Sequence, residues 1–193
     1  AEALRWHALA AEQGLPEAQH SVAKFLLPRT VVEQDNEKAM TFLRKAADQG
    51  YPESQFALGQ LYMEGMGVEE NPEEAAKWFS LASKSGHPDA QKMLGLLQMT
   101  GEGTSKDLEA AHEQFDAAAR QGDVDAQYLL GHQYEHGEGV PQNDVEASRW
   151  YLEAAQGGHL EAQYRIGIRY STGKGVAEDM AESRKWLKLA AEN

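Results

Sequence analysis

The feature that most constrains this chain is a period of 36 residues that runs through its whole length. A fixed period of roughly 20 to 50 residues is typical of repeat proteins, in which each repeat is one supersecondary unit stacked on its neighbours. The period therefore excludes a single compact core and predicts an array of about five and a half repeats. Three residue types keep this spacing without a gap: Gln19, Gln55, Gln91, Gln127 and Gln163; Gly14, Gly50, Gly86, Gly122 and Gly158; and Ala10, Ala46, Ala82, Ala118, Ala154 and Ala190.

No low-complexity tract or linker interrupts this register. We therefore expect one domain over residues 1–193, with a half repeat at 1–17 and repeats at 18–53, 54–89, 90–125, 126–161 and 162–193. The half repeat matches only a second helix and leaves an apolar edge with Leu4 and Trp6 uncovered. This edge leads us to expect that the chain is a fragment of a longer array.

Each unit is predicted to contain two helices, because apolar residues recur with helical spacing. In the second unit we expect the first helix from Glu53 to Glu64 and the second from Asn71 to Ser85. Asn71 followed by Pro72 is typical of an N-cap and first helical residue. We expect equivalent helices to begin or be capped at Asp35, Asp107, Asn143 and Asp179. A Gly-x-Gly pair ends the first helix in four units, since glycine accepts the left-handed conformation there; the first unit has Pro28 to Val32 instead.

Two residue slots are predicted to be structural. A glycine inside a helix costs about 1 kcal/mol relative to alanine, so its recurrence predicts that the backbone of a neighbouring helix comes too close for a Cβ. The recurring glutamine is expected to be a buried amide that bonds backbone groups. The residues at these two slots are Gly59, Gly95, Gly131 and Gly167, and Gln55, Gln91, Gln127 and Gln163. The third unit has Gln98, Thr104 and Gln114 in slots that hold Tyr, Val and Trp elsewhere, so we expect it to be the most weakly packed.

Composition narrows the classes of partner. The 18 basic and 31 acidic residues give a formal charge of -13, which repels a phosphate backbone and argues against nucleic acid. The absence of cysteine excludes disulfides, thiol nucleophiles and cysteine metal sites. No run approaches the roughly 18 apolar residues of a membrane span, so no membrane insertion is expected.

The fourth repeat shows the pattern most completely. Its residues are Ala126-Gln127-Tyr128-Leu129-Leu130-Gly131, Tyr134, Gly137-Glu138-Gly139-Val140, Ala147, Trp150-Tyr151, Ala154-Ala155 and Gly158. This pattern resembles the Sel-1-like repeat, a relative of the tetratricopeptide repeat, and the resemblance covers the whole chain. It implies an all-α fold, a right-handed α/α superhelical solenoid of helix-turn-helix repeats that acts as a non-enzymatic scaffold or adaptor. It implies no cofactor, and it favours the bacterial periplasm or cell surface while leaving the cytoplasm open.

In tetratricopeptide-type arrays the first helices line a concave groove, and the resemblance transfers this surface to fixed slots. Aromatic and methionine side chains there suit an extended peptide or a partner helix, and the acidic charge favours a basic or amphipathic one. The aromatic residues alternatively pack between successive first helices and bind nothing. The residues at these slots are His20, Lys24 and Leu27; Phe56, Gln60, Met63 and Glu64; Lys92, Leu96 and Met99; Tyr128, His132, Glu135 and His136; and Tyr164, Ile168 and Ser171.

Other chemistry has weaker support in the sequence. His132 and His136 have a spacing that lets two imidazoles share a metal, but the His-Glu-x-x-His order is absent, and we expect no metal. The segments Ser21 to Lys24 and Ser171 to Lys174 match the Ser-x-x-Lys of penicillin-recognising enzymes without the companion motifs. We expect no catalytic residue. An envelope protein with β-lactam- or peptidoglycan-related binding or hydrolase activity stays as an alternative, as does an end-to-end self-assembly module.

Overall fold

In a computed structural model of the chain, residues 2–26 and 33–192 are described, with side chains at 5–26 and 37–192. These residues form eleven helices and no strand, which confirms the all-α class of repeated helix pairs. None of the described helices is long and apolar enough to cross a membrane. The helices are α1 Glu2–Glu12, α2 Pro16–Leu26, α3 Glu33–Asp48, α4 Pro52–Glu64, α5 Pro72–Lys84, α6 Pro88–Thr100, α7 Leu108–Ala119, α8 Val124–His136, α9 Asp144–Gln156, α10 Leu160–Thr172 and α11 Met180–Glu192.

The even-numbered helices are the first helices of the repeats, and the odd-numbered helices are the second helices. The chain divides into two compact units. The first unit is residues 1–105 with helices α1 to α6, and the second is residues 106–193 with helices α7 to α11. In the first unit α2 packs on α3 and α4 on α5, and in the second α8 packs on α9 and α10 on α11. The helices of the second repeat, Pro52–Glu64 and Pro72–Lys84, lie within one residue of the predicted bounds.

Side-chain caps set the start of the second helices, as predicted. The Asn71 side chain accepts a hydrogen bond from the Glu74 backbone, and Asp107 and Asn143 cap α7 and α9 in the same way. Asp179 accepts from two backbone N–H groups in the first turn of α11. Helix α3 begins at Glu33, and the side chain of Asp35 lies outside the described residues, as does the segment from Pro28 to Val32.

The core of each unit is a layer of small and large apolar side chains between its helices. Many of the buried residues are alanines, and larger apolar side chains fill the space between the helices. In the first unit the largest fully buried apolar side chains are Leu43, Leu58 and Phe79, and in the second they are Phe115, Leu130, Tyr151 and Ile166. Within a unit the two helices of a repeat pack together and also pack on the neighbouring repeat, so stacking extends the core from one repeat to the next.

Gly59 and Gly131 make room for a side chain rather than for the close backbone that we expected, whereas at Gly167 the backbone nitrogen of Leu187 also lies 3.2 Å from the Cβ position. A Cβ on Gly59 would lie 2.5 Å from Cε1 of Phe79, and a Cβ on Gly167 would lie 2.8 Å from Cγ of Leu187. The partner belongs to the second helix of the same repeat in each case. Gly95 is buried as well. At Gly59 and Gly167 the second helix therefore places a large apolar side chain against the first helix.

The second glycine of three Gly-x-Gly pairs connects successive repeats within a unit. A Cβ at Gly139 would collide with the carbonyl of Leu108, at the start of the second helix of the preceding repeat. Gly103 stands in the same relation to Pro72, and Gly175 to Asp144. These turns pack directly on the preceding helix N-terminus and hold the repeats in register.

The recurring glutamine links each first helix to the helix before it. Gln55 Nε2 donates to the carbonyl of Ala47 at 3.1 Å, and Gln163 donates to Ala155 at 3.3 Å. Gln127 makes the same contact with Ala119 at 3.3 Å, and Gln91 is also buried. Carbonyls in the last turn of a helix lack an intrahelical partner, and this amide supplies one.

Candidate partner-binding surface

The first helices carry a repeated pair of stacked rings; we refer to the solvent-facing side of α2, α4, α6, α8 and α10 as the first-helix face. The ring of Phe56 on α4 stacks on His87 with centroids 4.7 Å apart, and Tyr128 on α8 stacks on His159 at 4.4 Å. His20 meets Tyr51 at 5.5 Å in a tilted arrangement. Each pair joins one first helix to the start of the next.

The histidine of each stacked pair is also the N-cap of the following first helix. His87 Nδ1 accepts from the Ala90 backbone N–H at 3.4 Å, and His159 Nδ1 accepts from that of Ala162 at 3.2 Å. A ring that accepts at Nδ1 holds its hydrogen on Nε2 when neutral. Sequence reasoning missed these histidines, although His87 and His159 follow the recurring glycines Gly86 and Gly158 directly.

In the first unit the ring pair forms one wall of a groove of about 360 Å³. Helix α2 supplies one side of this groove and α4 its centre, and the start of α6 closes it. The side chains that define the groove are His20 and Lys24; Glu53, Phe56 and Gln60; and His87 and Asp89. Four of the positions assigned to the surface by sequence, His20, Lys24, Phe56 and Gln60, therefore meet at one concavity.

The other predicted residues of the first unit differ in exposure. Gln60 and Glu64 are exposed. Met63 is partly buried and packs with Phe56 against the core between α4, α5 and α6. Partial burial also applies to Lys92, Leu96 and Met99 on α6, and Leu27 lies outside the described residues. Phe56 and Met63 thus contribute to packing as well as to the groove.

In the second unit the predicted apolar residues lie mostly at the surface. Tyr164 on α10 is 50% exposed and Ile168 is 39% exposed. Tyr128 is partly buried, because its ring lies between His159 and Tyr151. The first-helix face of this unit therefore offers apolar contact area on α10.

Glu135 differs most from its sequence-based interpretation as a contact for a partner. Its side chain is 14% exposed, and its carboxylate accepts hydrogen bonds from Tyr151 at 2.8 Å and from Arg169 and Lys174 at 3.3 Å each. Arg169 is 3% exposed and also donates to Asp144 at 3.0 Å. The carboxylate is thus occupied within the chain, and it ties α8 to α9 and α10.

This cluster shifts the ionisation of its members. Burial raises the pKa of Glu135, but the hydrogen bond from Tyr151 and the charges of Arg169 and Lys174 outweigh burial and hold the pKa below its ordinary value. Burial and the bond to Glu135 raise the pKa of Tyr151. Glu135 therefore stays ionised and Tyr151 stays a donor at neutral pH. The cluster was missed because Arg169 and Lys174 occupy slots that hold other residues in the remaining repeats.

The two histidines on α8 stack on each other. The rings of His132 and His136 lie 4.1 Å apart, His136 Nδ1 donates to the His132 carbonyl at 2.9 Å, and His132 Nδ1 is 3.3 Å from Glu138. Among the described side chains, no group of three or more His, Cys, Asp or Glu is placed to hold a metal ion.

The Ser-x-x-Lys segment from Ser171 to Lys174 does not assemble a nucleophile. Ser171 donates to the carbonyl of Ile168 at 2.8 Å, while the Lys174 ammonium contacts Glu135 and Asp144 at 3.3 Å. A serine nucleophile needs a base within hydrogen-bond reach, and Lys174 is held by two carboxylates instead. Ser21 and Lys24 lie on α2, where Lys24 points to the groove described above.

The 36-residue repeat, its glycine turns and its stacked helix pairs match a known family. The Sel1 repeat profile matches residues 1–15, 16–51, 52–87, 88–123, 124–159 and 160–193. The chain belongs to the Sel1 repeat family. Sel1 repeat proteins generally mediate protein–protein interaction, and the repeat is typically a non-catalytic scaffold.

Solved structures agree with this assignment. A protective antigen of uropathogenic Escherichia coli with this fold is 33% identical at a TM-score of 0.92; the match covers 98% of this chain but only 40% of that protein. A Sel1 repeat protein from Oxalobacter formigenes is 30% identical at a TM-score of 0.89, and the match covers 100% of this chain and 82% of that protein. Cysteine rich protein B of Helicobacter pylori shares the fold. It is 23% identical at a TM-score of 0.53, and the match covers 69% of this chain and 96% of that protein. Among curated proteins, no sequence matches the chain significantly.

Proposed function

We propose that this Sel1 repeat chain is a non-enzymatic scaffold that holds a protein or peptide partner against its first-helix face. The observation that carries the proposal is the groove of the first unit, where residues from three successive first helices meet around the Phe56–His87 stack. Interface cores are enriched in aromatic side chains and methionine, and a groove that crosses several helices suits an extended segment.

The charge of the chain supports a basic or amphipathic partner. With a formal charge of -13, the chain attracts cations over a distance set by the ionic strength. Exposed Glu53 and Asp89 bring this charge to the groove itself. Complementary charge increases the rate of association more than the affinity.

The test is affinity capture from the native source with matched variants. Gln60→Lys and Glu64→Lys place cations on the exposed part of α4, and both residues are far enough out of the core for the fold to persist. Glu73→Lys and Leu81→Lys make the same change of three charges at exposed positions of α5, the second helix of the same repeat. We expect a protein that the parent captures to be lost with the α4 pair and kept with the α5 pair. If both pairs of variants capture the protein equally well, the first-helix face is not the binding surface.

A further inference from the structure

We propose that the groove of the first unit is built to receive the cationic side chain of a single arginine or lysine from the partner. The subsite consists of the ring of Phe56, its stacked partner His87, and the carboxylates of Glu53 and Asp89. This inference rests on the proposed function and deepens it, because it names the chemistry that the groove recognises.

The second unit contains the same arrangement 72 residues later. The equivalent positions hold Tyr128 in place of Phe56 and His159 in place of His87. Asp125 is equivalent to Glu53, and Glu161 is equivalent to Asp89. The ring stack is reproduced closely, with interplanar angles of 23° in the first unit and 12° in the second. The chain thus carries two copies of one constellation.

In the second copy the chain supplies its own cation. Arg165 Nε donates to Glu161 at 3.0 Å, and Nη1 of the same guanidinium lies 3.8 Å from Glu135. Burial lowers the pKa of Arg165, but the hydrogen bond to Glu161 and the nearby Tyr151 and Tyr128 raise it further than burial lowers it. An arginine therefore pairs with Glu161, one of the two carboxylates of this copy, and also lies near Glu135.

In the first copy the residue equivalent to Arg165 is Met93, which carries no charge. Met93 packs with Phe56 against the core between α5 and α6. Glu53 and Asp89 are exposed and form no ion pair with any described side chain. The first copy thus keeps the aromatic ring and the two carboxylates but lacks the group that fills the second.

A cation fits this site because carboxylates accept charge-assisted hydrogen bonds from ammonium and guanidinium groups. The Phe56 ring is stacked on His87 and packs against Phe79, so it supplies an apolar wall for the aliphatic part of the side chain. Lys24 also lines the groove from α2, so the groove contains two carboxylates and one ammonium group. One further cationic side chain would balance these charges, whereas a run of cations would be repelled.

The experiment titrates the purified chain with N-acetyl-arginine amide and follows the amide resonances of the groove by NMR. N-acetyl-citrulline amide is the uncharged control of the same shape. We expect the arginine probe to bind about tenfold more tightly than the citrulline probe and to shift residues around Phe56 and His87. Equal affinity of the two probes would overturn the subsite.

Variants of the chain test the assignment from within. Met93→Arg places a guanidinium four residues after Asp89, as Arg165 follows Glu161, and we expect it to weaken the arginine probe at least about tenfold. Leu81→Arg adds the same charge at an exposed position on α5 and is expected to leave binding nearly unchanged. Glu53→Gln should weaken the probe about two- to fivefold, whereas Asp125→Asn, the same kind of change in the filled copy, should not. Binding that ignores Met93→Arg, or that responds equally to Glu53→Gln and Asp125→Asn, contradicts the proposal.

The two proposals fail in different ways. If partner capture depends on Gln60 and Glu64 while the arginine probe does not bind the groove, the cation subsite is wrong and the scaffold proposal stands. If the probe binds as expected but capture is insensitive to the α4 variants, the subsite stands and the first-helix face is not where the captured partner docks. Thermal unfolding of each variant checks that the fold is retained.

Discussion

The ring of Tyr151 on α9 occupies the space in which a side chain of Gly131 on α8 would begin. A Cβ added to Gly131 would lie 2.6 Å from Cδ1 of that ring, closer than real Cβ contacts come. Phe79 stands in the same relation to Gly59. In the first repeat, where the large residue is Leu43, the small one is Ala23, and both are fully buried. Each pair therefore fills one volume, and the size of one member limits the size of the other.

This relationship predicts that Gly131→Leu destabilises the chain more than Trp150→Phe. The leucine side chain must displace the Tyr151 ring from a packed core, and overpacking costs about 1–3 kcal/mol or more. Trp150→Phe replaces a buried ring by a smaller one in the same position and should lower the free energy of unfolding by about 1–2 kcal/mol. Urea unfolding followed by circular dichroism measures both. Equal midpoints for the two variants would show that the glycine is not needed for close packing.

A double-mutant cycle in the first unit provides the control. Gly59→Ala should destabilise through the clash with Phe79, and Phe79→Leu should destabilise by leaving a cavity. Combined, they recreate the pairing of Ala23 with Leu43, so the cost of the double variant should be smaller than the sum by about 1 kcal/mol. Simple additivity would mean that the two residues do not compete for space.

We predict that Gln98→Tyr stabilises the third repeat by about 1 kcal/mol. Gln98 Oε1 is buried without a hydrogen-bond partner, in a cleft of about 590 Å³ lined by Ala76, Ser80 and Gly103. One repeat earlier Tyr62 lies in the equivalent cleft, where its hydroxyl accepts from Arg44 at 3.3 Å. A tyrosine at 98 would add buried apolar area and remove the unsatisfied oxygen.

The reverse change, Tyr62→Gln, is the matched control. It removes the ring from an occupied cleft and should lower the free energy of unfolding by about 2 kcal/mol. Thermal melts of the two variants and the parent should therefore shift in opposite directions. A lower melting temperature for Gln98→Tyr would indicate that this cleft cannot close around the ring.

The Glu135 cluster predicts a stability that depends on pH in the acidic range. The pKa of Glu135 is lower in the folded chain than in the unfolded one, so the unfolded state takes up protons first as pH falls. The contribution of Glu135 is complete above its unfolded pKa of about 4.5 and is lost as pH falls through the lower folded value. Glu135→Gln should therefore cost about 1–2 kcal/mol at pH 7, and the difference from the parent should shrink below pH 4.

Glu153→Gln separates this effect from general charge. Glu153 accepts from Arg149 at 3.1 Å on the surface, where an ion pair contributes little. The unfolding curve of the Glu153→Gln variant should stay close to that of the parent at every pH. A Glu135→Gln variant whose deficit is the same at pH 3 and pH 7 would contradict the assigned direction of the pKa shift.

Association with a basic partner should weaken as salt rises. At 0.1 M ionic strength charges act over about 10 Å, and at 1 M over about 3 Å, so the acidic surface loses its long-range attraction. We expect the association rate constant to fall by about tenfold or more between these limits, with a smaller change in the dissociation rate. Surface plasmon resonance with the captured partner measures both, and a rate of association indifferent to salt would exclude electrostatic selection.

Helix positions and caps followed from local patterns, because a helix depends on neighbours three and four residues apart. Asn71, Asp107 and Asn143 cap their helices as the sequence predicts, since a cap is a contact across three residues. The small residue at Gly59 was also predicted, although its partner was not. A missing side chain shows that space is taken but does not show whether a backbone or a ring takes it.

The sequence by itself determined the repeat, the order of helix pairs and the family, because a period of 36 residues leaves one way to bury successive apolar faces. Only the tertiary structure decided the state of the candidate surface. Glu135 looked free in its slot, yet Arg169 reaches it from 34 residues away, and Phe56 meets His87 across 31 residues. Such contacts depend on distances between packed helices, and periodicity along the chain carries no record of those distances.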